Sequence, residues 1–99
     1  MAYKIEFADS TKEHLKSLTA NQRAVIFAAV KKQLVHEPFV KTRNRKPIES
    51  HPVAPWELRV GDLRVFYDLS PDEPDVVEIL AIGIKEGSKL LIAGKVVHL

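Results

Sequence analysis

Cysteine is absent from the 99 residues, which excludes disulfides, thiol catalysis and cysteine-based metal sites and fits a reducing compartment. Long apolar runs are also absent: no stretch approaches the roughly 20 residues that a membrane-spanning helix needs. The opening Met-Ala-Tyr-Lys-Ile-Glu-Phe lacks the hydrophobic region of a secretory signal. A soluble, cytoplasmic chain is expected. With only four glycines and 7% aromatic residues, the sequence has no Gly-rich phosphate loop and no aromatic ladder for stacking successive bases. It has no His-Glu-x-x-His helix and no nucleophile elbow. His14, His36, His51 and His98 are scattered without metal-ligand spacing, so a zinc site is not expected.

A chain of this length has room for a single domain, residues 1–99, burying about two-thirds of the surface its unfolded form exposes. The net charge is only +2, but it is unevenly spread. Residues 1–50 carry ten Lys/Arg against five Asp/Glu, and residues 51–99 carry five against eight. The densest stretch holds Lys41, Arg43, Arg45 and Lys46 within six residues. Such a cluster attracts a polyanion in a salt-dependent way, and it is equally compatible with a solvated loop.

Tyr3, Ile5 and Phe7 alternate with Lys4 and Glu6, the pattern of a half-buried first strand. Ser10-Thr-Lys-Glu13 and Thr19-Ala-Asn-Gln22 each have the capping-box pattern of a helix start. A short helix with Leu15 and Leu18 inward follows the first. A longer one follows the second, with Ile26, Ala29, Val30 and Leu34 at helical spacing, running to about His36 before Glu37-Pro38 stops it. The near absence of a linker predicts a helical hairpin over one sheet face. Pro38, Pro47, Pro52 and Pro55 disfavour a regular element in 37–55, leaving a long basic loop. Val76–Ile82 is nearly all apolar and β-branched, as for a central strand. Ala93-Gly94 between apolar runs marks a small hairpin or edge strand in the tail. The expected class is α+β, with a helical hairpin on an antiparallel sheet of about four strands.

Trp56–Val60 and Leu63–Leu69 flank Gly61-Asp62, a dipeptide suited to a two-residue hairpin turn. That turn sets Arg59 opposite Arg64. It sorts Trp56, Leu58, Val60, Leu63, Val65, Tyr67 and Leu69 onto the helix-facing side, and Glu57, Arg59, Arg64, Phe66 and Asp68 onto the other. Directly opposed like charges cost from a few tenths to about 1 kcal/mol. Two explanations stand: an anion binds between the arginines, through the paired donors that guanidinium offers to phosphate, or Glu57 and Asp68 neutralise them as an ordinary surface network.

These residues resemble a known family. The element order, together with Arg45-Lys46-Pro47-Ile48 and Glu57-Leu58-Arg59-Val60-Gly61-Asp62-Leu63-Arg64-Val65-Phe66-Tyr67-Asp68, resembles the RelE/ParE toxins of type II toxin–antitoxin systems over nearly the whole chain. For RelE-like members the resemblance implies a translation-inhibiting endoribonuclease that cuts mRNA on the ribosome, with no cofactor and no metal ion, by attack of the ribose 2′-OH on the adjacent phosphate. By position, Arg64 matches the central catalytic arginine, Arg59 a basic strand position, Lys46 a loop cation that contacts the RNA backbone, and Lys85 a second arginine of RelE itself. Lys41, Arg43 and Arg45 are the further RNA-binding candidates. RelE has two lysines where this chain has Pro55 and Glu57, and its C-terminal tyrosine aligns without gaps on Leu91, so acid and base are not identified by position. Candidates are Glu49, His51 and Glu57 as base, and His51, Tyr67 or His98 as acid. The resemblance also implies a cognate antitoxin partner and leaves open a gyrase-directed ParE-like toxin. The departures leave open a non-catalytic RNA- or protein-binding module.

Overall fold

The structure, a computed structural model, describes residues 2–48 and 54–97. Elements run β1 (Lys4–Phe7), α1 (Thr11–Lys16), α2 (Ala20–Gln33), β2 (Arg45–Pro47), β3 (Trp56–Val60), β4 (Leu63–Leu69), β5 (Val76–Glu86), β6 (Lys89–Ile92) and β7 (Lys95–Val97). The class is α+β, with more strands than the four expected. Seven strands form one sheet in the order β2-β3-β4-β5-β6-β7, with β1 added parallel to the first half of β5. Every other pairing is antiparallel.

The two helices meet as expected, but only one capping box forms. The Thr19 hydroxyl accepts from the Gln22 amide at 3.1 Å and the Gln22 side chain accepts from the Thr19 amide at 2.9 Å. At the first helix Ser10 has helical backbone angles and makes no cap bond. Its hydroxyl instead donates to the Leu80 carbonyl at 3.1 Å, because a break in the neighbouring strand offers a better partner. Leu80 is the extra residue of a bulge in β5, where Phe66 pairs with Ala81 and Tyr67 with Ile79. The Arg23 guanidinium joins the helices by donating to the Leu15 and Leu18 carbonyls.

The main core lies between helices and sheet, from Ile26, Val30 and Leu34 of α2 to Leu58, Val65, Tyr67, Ile79 and Ile82. The alternation expected of the β3–β4 hairpin holds here; Leu69, at the strand end, is 38% exposed. Tyr3, Phe39, Trp56 and Tyr67 make a chain of aromatic contacts with centroids 5.7–6.2 Å apart. The Tyr67 hydroxyl donates to the Pro38 carbonyl at 2.5 Å. These contacts fix the segment after α2 and deliver β2 to the edge of the sheet.

Two expectations are corrected. The prolines did not exclude a strand from 37–55, because Pro47 ends an edge strand and its missing N–H faces away from β3. Nor is the sheet's second face left open around Phe66. The β6–β7 hairpin curls over it, so Phe66, expected outward, is 1% exposed in a smaller core with Ala54, Ala81, Leu90 and Ile92. Gly83 permits the close approach: a Cβ there would stand 2.6 Å from the Leu91 carbonyl oxygen. The hairpin itself reverses through Ala93 and Gly94, both with positive φ, as the tail sequence indicates.

Candidate phosphate-binding face

The β3–β4 turn falls where the sequence places it, with Gly61 at φ 59° and Arg59 paired with Arg64. Register extends this row of the sheet. Lys46 pairs with Glu57 across β2 and β3, and Arg64 pairs with Gly83 across β4 and β5. Lys85, two residues beyond Gly83, falls on the same side. Lys46, Arg59, Arg64 and Lys85 thus share the face away from the helices, with Glu57 among them. Four strands, β2, β3, β4 and β5, supply this row, so its spacing is set by the sheet ladder.

Glu57 supplies the anion that the opposed arginines require. One carboxylate oxygen lies 3.1 Å from Arg64 Nε and the other 3.6 Å from Arg59 Nε. The two contacts differ in kind. Arg64 and Glu57 side chains are only 10% and 13% exposed and lie at hydrogen-bond distance. Arg59 is 39% exposed, and its buried Nε has no hydrogen-bond partner among the described residues. Asp68, the other expected neutraliser, lies elsewhere: it pairs with Glu78, and its carboxylate accepts from the Leu69 amide.

Arg64 is held on a second side. Its Nη1 donates to the Gly61 carbonyl at 2.7 Å and the Leu63 carbonyl at 2.9 Å, tying the guanidinium to its own turn. Of five donors, these contacts and Glu57 use three and leave the two on Nη2. A guanidinium fixed at three points enters a complex with little further loss of rotamer freedom.

The expected RNA-binding cluster is not one surface. Lys41 and Arg43 are exposed in the segment leading into β2, and Lys46 is half-buried on the cationic face. Arg45 pairs with Leu58 on the helix side, is 8% exposed, and donates from Nη1 to the Gln33 carbonyl at 2.5 Å. It caps the C-terminal end of α2, where carbonyls lack helical partners and the dipole favours a cation. The alternation of β2 carried that signal, and reading 41–46 as loop concealed it. Glu49, His51 and His98 lie outside the described residues. Tyr67 faces the helices; burial pushes its phenol well above the usual range, against an opposing pull from Arg45. Leu91 pairs with Ile84 on the helix side, so the strand position aligned with the family's tyrosine does not face the arginines. Among the described residues no group of three His, Asp or Glu could hold a metal ion.

No family model and no curated protein matches the sequence. Among solved structures, a chain of the toxin–antitoxin complex RelBE2 from Mycobacterium tuberculosis superposes with a TM-score of 0.71 at 21% identity, over 86% of this chain and 100% of that one. The chain has a RelE-like fold. Within it, Arg64 stands on the fourth strand of the sheet and Arg59 on the third, joined by a two-residue turn.

Proposed function

We propose that this chain is the toxin of a toxin–antitoxin pair, acting as an endoribonuclease on mRNA at the ribosome. The observation that carries the reading is a local surplus of charge: register gathers four cations, Lys46, Arg59, Arg64 and Lys85, at one end of the face, where Glu57 is the one described carboxylate in contact with the arginines, while Asp68 and Glu78 lie farther along it. One carboxylate cannot balance four cations, and a phosphodiester supplies what is missing. The RelE-like fold, found in a complex of toxin and antitoxin, supports a protein partner as well.

In the proposed reaction the ribose 2′-oxygen forms a bond to the adjacent phosphorus as the bond to the 5′-oxygen breaks. A base accepts the 2′-OH proton, an acid protonates the departing 5′-oxygen, and the products are a 2′,3′-cyclic phosphate and a 5′-OH end. Charge grows on the non-bridging oxygens, and Arg64, fixed before the substrate arrives, stabilises it there. Arg59, Lys46 and Lys85 hold the flanking backbone as salt-sensitive contacts. Glu57, engaged by both arginines, holds them in place; base and acid come from the candidates Glu49, His51 and His98, outside the described residues, or from the ribosome.

Primer extension on cellular mRNA after induction tests this reading, with codon-phased cuts as the expected result. A second reading rests on the three Arg64 donors already engaged within the protein: the face binds RNA phosphate and does not cut it. Intact mRNA together with retained RNA binding favours that alternative, and a DNA-damage response with intact mRNA points to a gyrase-directed toxin.

A further inference from the structure

The Glu57 carboxylate touches two arginines unequally, and that inequality suggests what happens when an anion arrives. Its bond to Arg64 is short and sheltered, whereas Arg59 Nε, though buried, has no hydrogen-bond partner among the described residues and faces the other oxygen across 3.6 Å. An unsatisfied buried donor beside an anion just out of reach is a costly arrangement, relieved by any acceptor that comes closer. A phosphate oxygen is such an acceptor.

We propose that Glu57 is a positioning residue standing in for the ligand phosphate: it keeps hold of Arg64 through Nε and yields Arg59 when a phosphodiester binds. This deepens the reading of the face as an RNA-phosphate site and rests on it for the substrate class. The contact with Arg64 persists because the turn carbonyls of Gly61 and Leu63 already fix that guanidinium beside the carboxylate. Among the described residues no comparable hydrogen bond ties the Arg59 guanidinium, which is therefore the arginine that can turn toward the ligand. Glu57 thereby aims Arg64 and lowers the affinity of the empty site for phosphate. Without its charge the site binds anions more tightly and presents Arg64 less well.

The test uses the full chain and two probes, inorganic phosphate and an oligonucleotide with 2′-deoxy sugars that cannot be cut. Glu57→Gln is expected to bind both about three- to tenfold more tightly, as removal of one screened charge at contact distance implies. Its KM and kcat on ordinary RNA should both fall. A purely structural Glu57 gives weaker binding in a protein that melts early, and that result, or unchanged affinity in a folded variant, overturns the proposal. Should Glu57→Gln fail to fold, the wild-type protein decides: titration with phosphate is expected to move the NMR signal of the Arg59 Nε–H more than that of Arg64, and the reverse order overturns the assignment. Because neither binding readout requires cleavage, loss of the nuclease reading leaves this test intact.

Discussion

Arg45 and Arg64 stand on opposite faces of one sheet and are almost equally buried, 8% and 9% exposed. On the helix side Arg45 stands opposite Leu58, a core residue, and its guanidinium caps the end of α2 through the Gln33 carbonyl. On the other side Arg64 lies in a row with Arg59, Lys46 and Lys85, and its contacts are a carboxylate and the carbonyls of its own turn. Burial therefore does not separate an arginine that completes the fold from one proposed to meet a ligand. The surroundings do: Arg45 completes an element that would otherwise end in unpaired carbonyls, whereas Arg64 is positioned in a field that its neighbours make too positive.

The largest effect that can break this contrast is expected at Arg64. Arg64→Ala should abolish toxicity in growing cells and RNA cleavage in extracts, while circular dichroism and a cooperative melt report a folded protein. Full toxicity of a stably expressed variant would remove Arg64 from the site. Arg45→Ala should do the opposite. Loss of a charged hydrogen bond to a helix end costs about 2 kcal/mol, read as a lower urea midpoint, with RNA affinity held at the wild-type level. If the affinity falls and the stability does not, the two faces are not divided as described.

Lys46 and Lys85 sharpen the same contrast with a smaller effect. Each lies on the cationic face by register, and each is expected to contribute about one unit to the slope of log affinity against log salt. Lys46→Ala and Lys85→Ala should each flatten that slope. Lys31→Ala, on the exposed surface of α2, serves as the control and should leave it unchanged. Equal slopes in all three proteins would mean that the face attracts RNA only through overall charge.

Much of this site was legible because a hairpin is a local device. Gly61-Asp62 fixes the turn, the turn fixes the register, and the register brings Arg59 and Arg64 together. The role of Glu57 was legible only as one of two possibilities, since alternation gives the face of a side chain and not the direction of its tip. Arg45 and Phe66 were misread for a different reason. Both depend on partners distant in sequence: the end of α2 for Arg45, and the C-terminal hairpin folded over the second face for Phe66. The failed capping box at Ser10 is similar, since a carbonyl of β5, 70 residues away, outcompetes the local amide. Periodicity identifies which face a residue occupies, and only the fold shows what has been laid over that face.

The smallest expected effect lies outside both arginine sites, at the gap that β5 leaves between β1 and β6. There the Ile82 amide has no strand partner and donates to His14 Nδ1 at 3.2 Å, which satisfies a backbone group that would otherwise be buried unpaired. That bond needs a neutral imidazole with its proton on Nε2. Burial lowers the His14 pKa below its ordinary 6.5, with nearby Glu13 acting weakly in the other direction. The unfolded chain therefore binds this proton more readily than the folded one, so the contribution of His14 is complete above about pH 6.5 and declines as the pH falls toward the lowered folded value. The loss should not exceed roughly 1 kcal/mol, the worth of one neutral hydrogen bond. In His14→Gln, whose amide oxygen can accept without titrating, this part of the acid-side decline should disappear. The measurement is the difference between wild-type and variant unfolding free energies from pH 7.5 to 5, since the other histidines contribute equally to both. A difference that stays constant across that range would remove His14 from the pH response and leave its bond to Ile82 as a purely structural one.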